Sequence, residues 1–181
     1  MRFTLLLAVL AGAAAMTGCA STVAIHPFYT SQDLVSDLPL AGTWAGSDGE
    51  VWQIKKSGDG YDVASVPAGN SKEVSEFTVH LLRLKEYEFV DVASKSDPQV
   101  GVAGHLFGKI RMEDGQLYVS SIDEAWLKRM MDAGLAPQST VGEGQQIVLT
   151  APTSELQQFI LLHAADPDAW DEDDEELHRL R

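Results

Sequence analysis

The sequence predicts a β-rich α+β domain: a curled sheet or partly closed barrel of seven or eight antiparallel strands, with two short amphipathic helices in the C-terminal half. Three observations predict this fold class. Runs rich in Val, Trp, Tyr and Phe are separated by Gly-Asp and Gly-Asn clusters at intervals of about ten residues. Apolar side chains alternate with others along several runs, which is typical of strands with one buried face. After residue 122 the apolar spacing becomes helical.

The strands are predicted to follow one another between residues 42 and 121. They lie near residues 42–45, 51–56, 61–66, 76–84, 87–93, 104–111 and 117–121. Turns at 47–49, 58–60 and 113–115 contain Asp-Gly or Gly-Asp pairs, which supply the positive φ angles that tight hairpins need. Because such short turns join successive strands, we expect an antiparallel meander.

Two helices are predicted after the meander, near residues 123–134 and 154–164. Asp123 is the candidate N-cap of the first, and Ser154 with Gln157 forms a candidate capping box in the second. The apolar positions at helical spacing are Trp126, Leu127, Met130 and Met131 in the first helix, and Leu156, Phe159, Ile160 and His163 in the second. A last short strand is predicted near 147–150. The sequence leaves open whether the helices plug a barrel mouth or cover an edge strand.

The N-terminus has the layout of an export signal. Arg2 precedes an apolar run at residues 3–15, which is too short to cross a bilayer permanently. Met16-Thr17-Gly18-Cys19 then resembles the lipobox of bacterial lipoproteins, with Met16 where leucine is usual. In that family the cysteine receives a diacylglycerol and further acyl chains such as palmitate, and becomes the mature N-terminus. The resemblance implies that residues 1–18 are a signal peptide and that Cys19 is the lipid attachment site.

The lipoprotein resemblance also implies a location. Ala20 follows the cysteine, whereas aspartate at this position is associated with retention in the inner membrane. We therefore expect attachment to the outer membrane, facing the periplasm, with the lipid bilayer as a partner through acylated Cys19. Because Cys19 is the only cysteine, the exported domain has no internal disulfide and depends on its core.

Four segments are expected: the signal peptide at 1–18, a lipidated N-terminus and tether at 19–37, the globular domain at 38–165 and an acidic tail at 166–181. Residues 26–29 are too aromatic for a purely flexible linker, so we expect this part of the tether to pack against the outside of the domain.

The formal net charge of −14 disfavours nucleic acid as a partner. Six consecutive acidic residues occupy 171–176, but no loop of alternating calcium ligands is present. This end of the chain is therefore predicted to be a solvated, partly frayed tail, although Trp170, Leu177 and Leu180 are apolar residues that would pin both ends of the acidic run onto the domain and leave its middle in water.

Residues 40–44, Leu-Ala-Gly-Thr-Trp, resemble the Gly-x-Trp element at the start of the first lipocalin strand, where the tryptophan closes one barrel end. The resemblance covers this strand only, since the helical second half is not lipocalin-like. It implies that a small apolar ligand is held inside the barrel. The candidate cavity-lining residues are Trp44, Trp52, Phe77, Phe89 and Phe107, although such large side chains also suit a filled core.

Further stretches, including 26–30 and 149–157, are similar to segments of an uncharacterised group of secreted bacterial proteins. That resemblance implies a shared fold and brings no activity with it.

The polar residues form no recognisable catalytic or metal-binding motif. His80, His105 and His163 lie on predicted regular elements, but no two have a spacing that brings imidazoles together, so we expect no metal and no other cofactor. Glu88 and Asp91 are expected to face outward on their strand, and no Gly-x-Ser-x-Gly elbow occurs. We therefore expect an anchored, non-enzymatic interaction or scaffold domain that meets an envelope protein through its sheet edge, its aromatic stretch at 26–29 or its acidic end. Binding of a small apolar ligand is the alternative.

Overall fold

The structure is a computed structural model that describes residues 22–70, 73–95, 104–142, 146–171 and 175–180. Cys19 and the predicted signal peptide lie outside these ranges. The elements in chain order are β1 (Thr22–Ala24), β2 (Gly42–Gly46), β3 (Val51–Ser57), β4 (Gly60–Val66), β5 (Ser75–Leu84), β6 (Tyr87–Ser94), β7 (His105–Glu113), β8 (Gln116–Ser121), α1 (Glu124–Asp132), β9 (Ser139–Val141), β10 (Ile147–Leu149), α2 (Thr153–His163), a 3₁₀ helix (Pro167–Ala169) and β11 (Glu175–Arg179).

Eight of the strands close into an antiparallel barrel. Strands β2 to β8 form a meander in which each strand pairs with the next. Strand β11 then pairs with both β8 and β2, which completes the ring. The predicted fold class is confirmed, and the seven predicted strands coincide with β2 to β8 to within a few residues.

One glycine in each of the three predicted turns has the positive φ angle that was expected. Gly49, Gly58 and Gly115 have φ angles of 86°, 56° and 82° in the three predicted turns. Because other residues adopt such angles at a cost, glycine allows these hairpins to reverse within a few residues.

Side chains that face into the barrel form one hydrophobic core. Its buried members are Leu40, Trp44, Ile54, Tyr61, Val63, Val79, Leu81, Val90, Ile110, Leu117 and Leu177. They come from every barrel strand, because one side chain in two along each strand points inward.

A second core lies outside the barrel, where α1 and α2 cover the wall formed by β5, β6 and β7. Leu81 faces the barrel interior, while its neighbour Leu82 faces outward, and both are fully buried. The outer core includes Phe28, Leu82, Phe89, Phe107, Trp126, Leu127, Leu149, Leu156, Phe159, Ile160 and Trp170. The helices therefore cover an outer face of the barrel, which is neither of the two arrangements that the sequence left open.

The two helices begin differently. The carboxylate of Asp123 accepts a hydrogen bond from the backbone N–H of Trp126 at 2.5 Å, so the predicted N-cap of α1 is confirmed. Helix α2 begins after Pro152 without a side-chain cap, so the capping box predicted there is wrong. Gln157 instead donates hydrogen bonds to the carbonyl oxygen of Phe28 at 2.9 Å and to the carboxylate of Asp33 at 3.0 Å. None of the described helices is long and apolar enough to cross a membrane.

Residues 22–37, the described part of the segment expected to be a tether, pack onto the domain. Strand β1 pairs in parallel with β10 and reaches β7 through a bridge between Ala24 and His105. Strand β9 completes this small sheet by pairing with β10. Phe28 then enters the outer core, where it has no exposed surface. The segment differs from a free linker because its aromatic residues fill the space between the barrel wall and α2.

Candidate ligand site in the barrel

One end of the barrel is closed by Trp44, and we call it the closed end. The indole ring is buried, and its Nε1–H donates a hydrogen bond to the carbonyl oxygen of Leu40 at 2.8 Å. The guanidinium of Arg179, near the end of β11, lies over this ring at 5.0 Å from its centroid. It also donates hydrogen bonds to the carbonyl oxygens of Pro39 at 2.5 Å and Ala41 at 2.6 Å. Arg179 thereby links the segment that precedes β2 to the end of β11.

The opposite end of the barrel is less completely filled, and we call it the mouth. It lies where β3, β5 and β11 begin and β4 and β6 end. Apolar side chains that face inward here are only half-buried: Trp52, Phe77, Val92 and Val119. Inward-facing side chains nearer the closed end, such as Tyr61, Leu81 and Leu117, are buried. Met112 at the closed end is half-buried as well, so the mouth is distinguished by the number of its half-buried apolar side chains rather than by a steady change along the wall.

Two aromatic side chains dominate the apolar lining of the mouth. The rings of Trp52 and Phe77 are nearly parallel, with 6.3 Å between their centroids and 17° between their planes. Both pack against the inner core. Trp52 is the cross-strand partner of Trp44, but its indole N–H bonds to Glu50 at the mouth, whereas that of Trp44 bonds to Leu40 at the closed end. The two stacked rings give the mouth an apolar lining of the kind found in small-molecule sites.

Polar groups lie beside this apolar lining. The carboxylate of Glu50 accepts hydrogen bonds from the indole Nε1–H of Trp52 at 2.9 Å and from the hydroxyl of Ser65. Ser65 faces the barrel interior and is only 1% exposed. Asp48 accepts a hydrogen bond from the backbone N–H of Glu50 at 2.9 Å, which fixes the turn that presents the carboxylate. Glu50 is therefore held at the inner wall by donors from β3 and β4.

A second carboxylate approaches the mouth from β11. Glu175 lies directly opposite Val119, whose side chain packs against the inner core. The Glu175 side chain is exposed at the rim of the barrel, and desolvation of its carboxyl group against the neighbouring strands raises its pKa. The negative charges of Glu50 and Asp48 raise this pKa further. The mouth thus combines an apolar wall with carboxylates that repel one another.

The five residues predicted to line a cavity divide into three groups. Trp44 lies at the closed end, and Trp52 and Phe77 lie at the mouth. Phe89 and Phe107 face outward into the second core and do not line the interior. The structure differs from the prediction for these two because both faces of β6 and β7 carry apolar side chains, so composition alone did not indicate which face is inside. Cys19, the predicted lipid attachment site, lies outside the described residues.

Glu50, Glu175 and Arg179 were missed by sequence reasoning. Glu50 stands beside a turn, and the other two lie in the segment expected to be a solvated tail. The signal available for β11 was weak: a single apolar residue, Leu177, between pairs of charged or polar ones.

A second group of titratable side chains lies on the outside of the barrel wall, around Asp91. This residue has no exposed surface, and its carboxylate accepts a hydrogen bond from the backbone N–H of Phe28 at 2.7 Å. The other carboxylate oxygen lies 2.8 Å from Nδ1 of His105. His80 lies directly opposite Asp91 on β5, and the ring of Tyr29 packs on it at 4.4 Å. Burial lowers the pKa of His80 and raises that of Tyr29.

This outer group fastens the N-terminal segment to the barrel. Both carboxylate oxygens of Asp91 are engaged, one of them by the backbone of that segment. His163, the third predicted candidate ligand, packs against the rings of Trp126 and Phe159 on the helices instead. Across the described ranges, no group of three or more His, Cys, Asp or Glu residues is arranged to hold a metal ion.

Comparison with known proteins found no family model, no curated protein and no solved structure that matches this chain.

Proposed function

We propose that this protein binds a small, largely apolar molecule in the mouth of its barrel. The observation that carries the proposal is a group of apolar side chains at the mouth that face inward and yet are only half-buried. These are Trp52, Phe77, Val92 and Val119, whereas most inward-facing apolar side chains elsewhere in the barrel are buried. Concave, mostly apolar surfaces with a few fixed polar groups are typical of small-molecule sites. The Gly-x-Trp resemblance at Trp44 supports the same function.

A binding role is preferred to the scaffold role for a structural reason. The aromatic stretch at 26–29 was one of the three surfaces expected to meet an envelope partner, beside the sheet edge and the acidic end. Phe28 has no exposed surface, because its ring stacks on Phe107 at 4.8 Å and meets Phe89 edge-on at 5.4 Å. The stretch is therefore engaged within the molecule, and the barrel mouth becomes the better candidate surface.

We also propose a binding role rather than a catalytic one. The Asp91–His105 pair is the arrangement closest to a general base among those described above. Its carboxylate is occupied by the backbone of Phe28 and covered by the N-terminal segment. A general base must lie within hydrogen-bond reach of the proton that it abstracts. The buried Asp91 carboxylate has no such reach, and the His105 side chain that it holds is 16% exposed, on the outside of the barrel.

The proposal is tested by filling the mouth. The chain from Ala20 onward is titrated with a neutral apolar fluorophore, which is then displaced by decanol. We expect saturable binding at one site. We expect Val119→Trp to weaken this binding by about tenfold or more, because the added ring occupies the interior of the barrel mouth. Val141→Trp is the control, since Val141 is exposed on β9, away from the barrel.

Two results would contradict the proposal. One is the absence of saturable binding to the unsubstituted protein. The other is equal affinity in the Val119→Trp and Val141→Trp variants, when circular dichroism shows that both are folded.

A further inference from the structure

We propose that the mouth of the barrel selects amphiphiles with a cationic head group, such as an alkylammonium, over neutral and anionic molecules with the same apolar chain. The alkyl chain of the ligand lies against Trp52 and Phe77, and its ammonium group contacts the carboxylates of Glu50 and Glu175. This inference rests on the proposed ligand site and adds the chemical class of its ligand.

The Glu50 carboxylate has a fixed position at the mouth. It is held by two side chains of the inner wall, the indole N–H of Trp52 and the hydroxyl of Ser65. Ser65 is almost fully buried and Trp52 is half-buried. A carboxylate bound in this way is fixed at the edge of the apolar surface, where the head group of a bound amphiphile would lie. Each carboxylate oxygen has further capacity to accept a hydrogen bond from a ligand.

Other charged groups lie around the Glu50 carboxylate. Glu175 faces the same space from β11. Partial desolvation of its carboxyl group raises its pKa, and the negative charges of Glu50 and Asp48 raise it further. Lys95, which follows β6 at the same end of the barrel, forms an ion pair with Asp62 at 2.5 Å. Asp62 alternates with the inward-facing Tyr61 and Val63, so this pair lies on the outer surface.

The carboxylates at the mouth act differently on an anionic and on a cationic head group. Like charges are most unfavourable where water is partly excluded, because the effective dielectric constant is low. An anionic head group adds to the repulsion between the carboxylates, whereas an ammonium group relieves it. An ammonium also meets the indole of Trp52 favourably, since cations are attracted to the faces of aromatic rings. The apolar wall and the charges therefore favour the same class of ligand.

The experiment compares decylamine, decanol and decanoate at neutral pH, each below its critical micelle concentration, as competitors of the neutral fluorophore. We expect decylammonium to bind about tenfold more tightly than decanol, and decanoate to bind most weakly. Glu50→Gln combined with Glu175→Gln should reduce the amine preference to about twofold and leave decanol binding unchanged. The control is Glu113→Gln combined with Glu124→Gln, which changes the net charge equally at exposed positions on β7 and α1.

The outcomes separate this inference from the proposed function. If decanol binds but decylammonium binds no better, or decanoate binds best, the selectivity is overturned and the apolar site stands. If the amine preference falls equally in the control variant, it arises from the net charge of the protein, and the assignment to Glu50 and Glu175 is overturned. If none of the three molecules competes with the fluorophore, the proposed function itself fails.

Discussion

At the scale of single residues, Arg179 is the side chain that joins the two ends of the barrel sequence. Its guanidinium lies over the Trp44 ring and donates to two carbonyl oxygens in the chain that leads into β2. Planar stacking and several N–H donors are combined in arginine alone among the cationic side chains. Arg179 therefore covers the closed end and satisfies backbone acceptors that precede the first barrel strand.

The Arg179→Ala variant is expected to lower the free energy of unfolding by about 1–3 kcal/mol, because it removes one cation–π contact and two hydrogen bonds. Urea unfolding followed by tryptophan fluorescence measures the change. The control is Arg129→Ala on α1, whose side chain is exposed, and we expect a change within about 0.5 kcal/mol. Equal stability of the two variants would show that Arg179 does not hold the closed end together.

The sequence predicted some residues of this end and not others, for a physical reason. Trp44 was identified because a tryptophan directly after Gly-x marks the start of a barrel strand. Phe89 and Phe107 were placed inside because they are large and apolar, yet they face the outer core. Alternation indicates the inner face only where the other face is polar, and the wall under the helices is apolar on both faces.

At the scale of elements, β11 is the strand that closes the barrel. It pairs with β2 and β8, and Leu177 enters the inner core between them. The same residues were predicted to belong to a tail that Leu177 and Leu180 pin to the domain, not to a strand of the barrel. Strands β2 to β8 were recognised because each pairs with its neighbour in sequence across a short turn. Strand β11 pairs with strands far away in the chain, and its outward-facing residues are charged, so local pattern gave little sign of it.

Replacing Leu177 by aspartate tests whether β11 is part of the core. We expect Leu177→Asp to lower the free energy of unfolding by about 3–5 kcal/mol, because it places a carboxylate among buried apolar side chains. The adjacent variant His178→Asp adds the same group on the exposed face, and we expect it to cost less than about 1 kcal/mol. Thermal and urea unfolding measure both. If the segment were a solvated tail, the two variants would be equally stable.

At the scale of the whole molecule, the position of β1 bears on how the protein would sit at a membrane. We propose from the lipobox resemblance that Cys19 is acylated and anchors the protein, with its barrel facing the periplasm. Thr22, the first residue of β1, is three residues after Cys19. Three residues span at most about 11 Å, so the barrel would lie directly at the lipid surface and would not hang on a long tether. An apolar ligand that partitions into lipid would then be close to the protein.

The anchor is tested by Cys19→Ser in the full chain, produced in a bacterium with two membranes. We expect the unsubstituted protein to sediment with the outer membrane and to incorporate labelled palmitate, because two or three acyl chains give stable attachment. The variant should lose the label and the mature cysteine terminus. Ala20→Ser is the control, since it leaves the cysteine in place. A Cys19→Ser protein that still incorporates palmitate, or an unsubstituted protein that remains in the soluble periplasmic fraction, would contradict the anchor and the membrane-proximal position of the barrel.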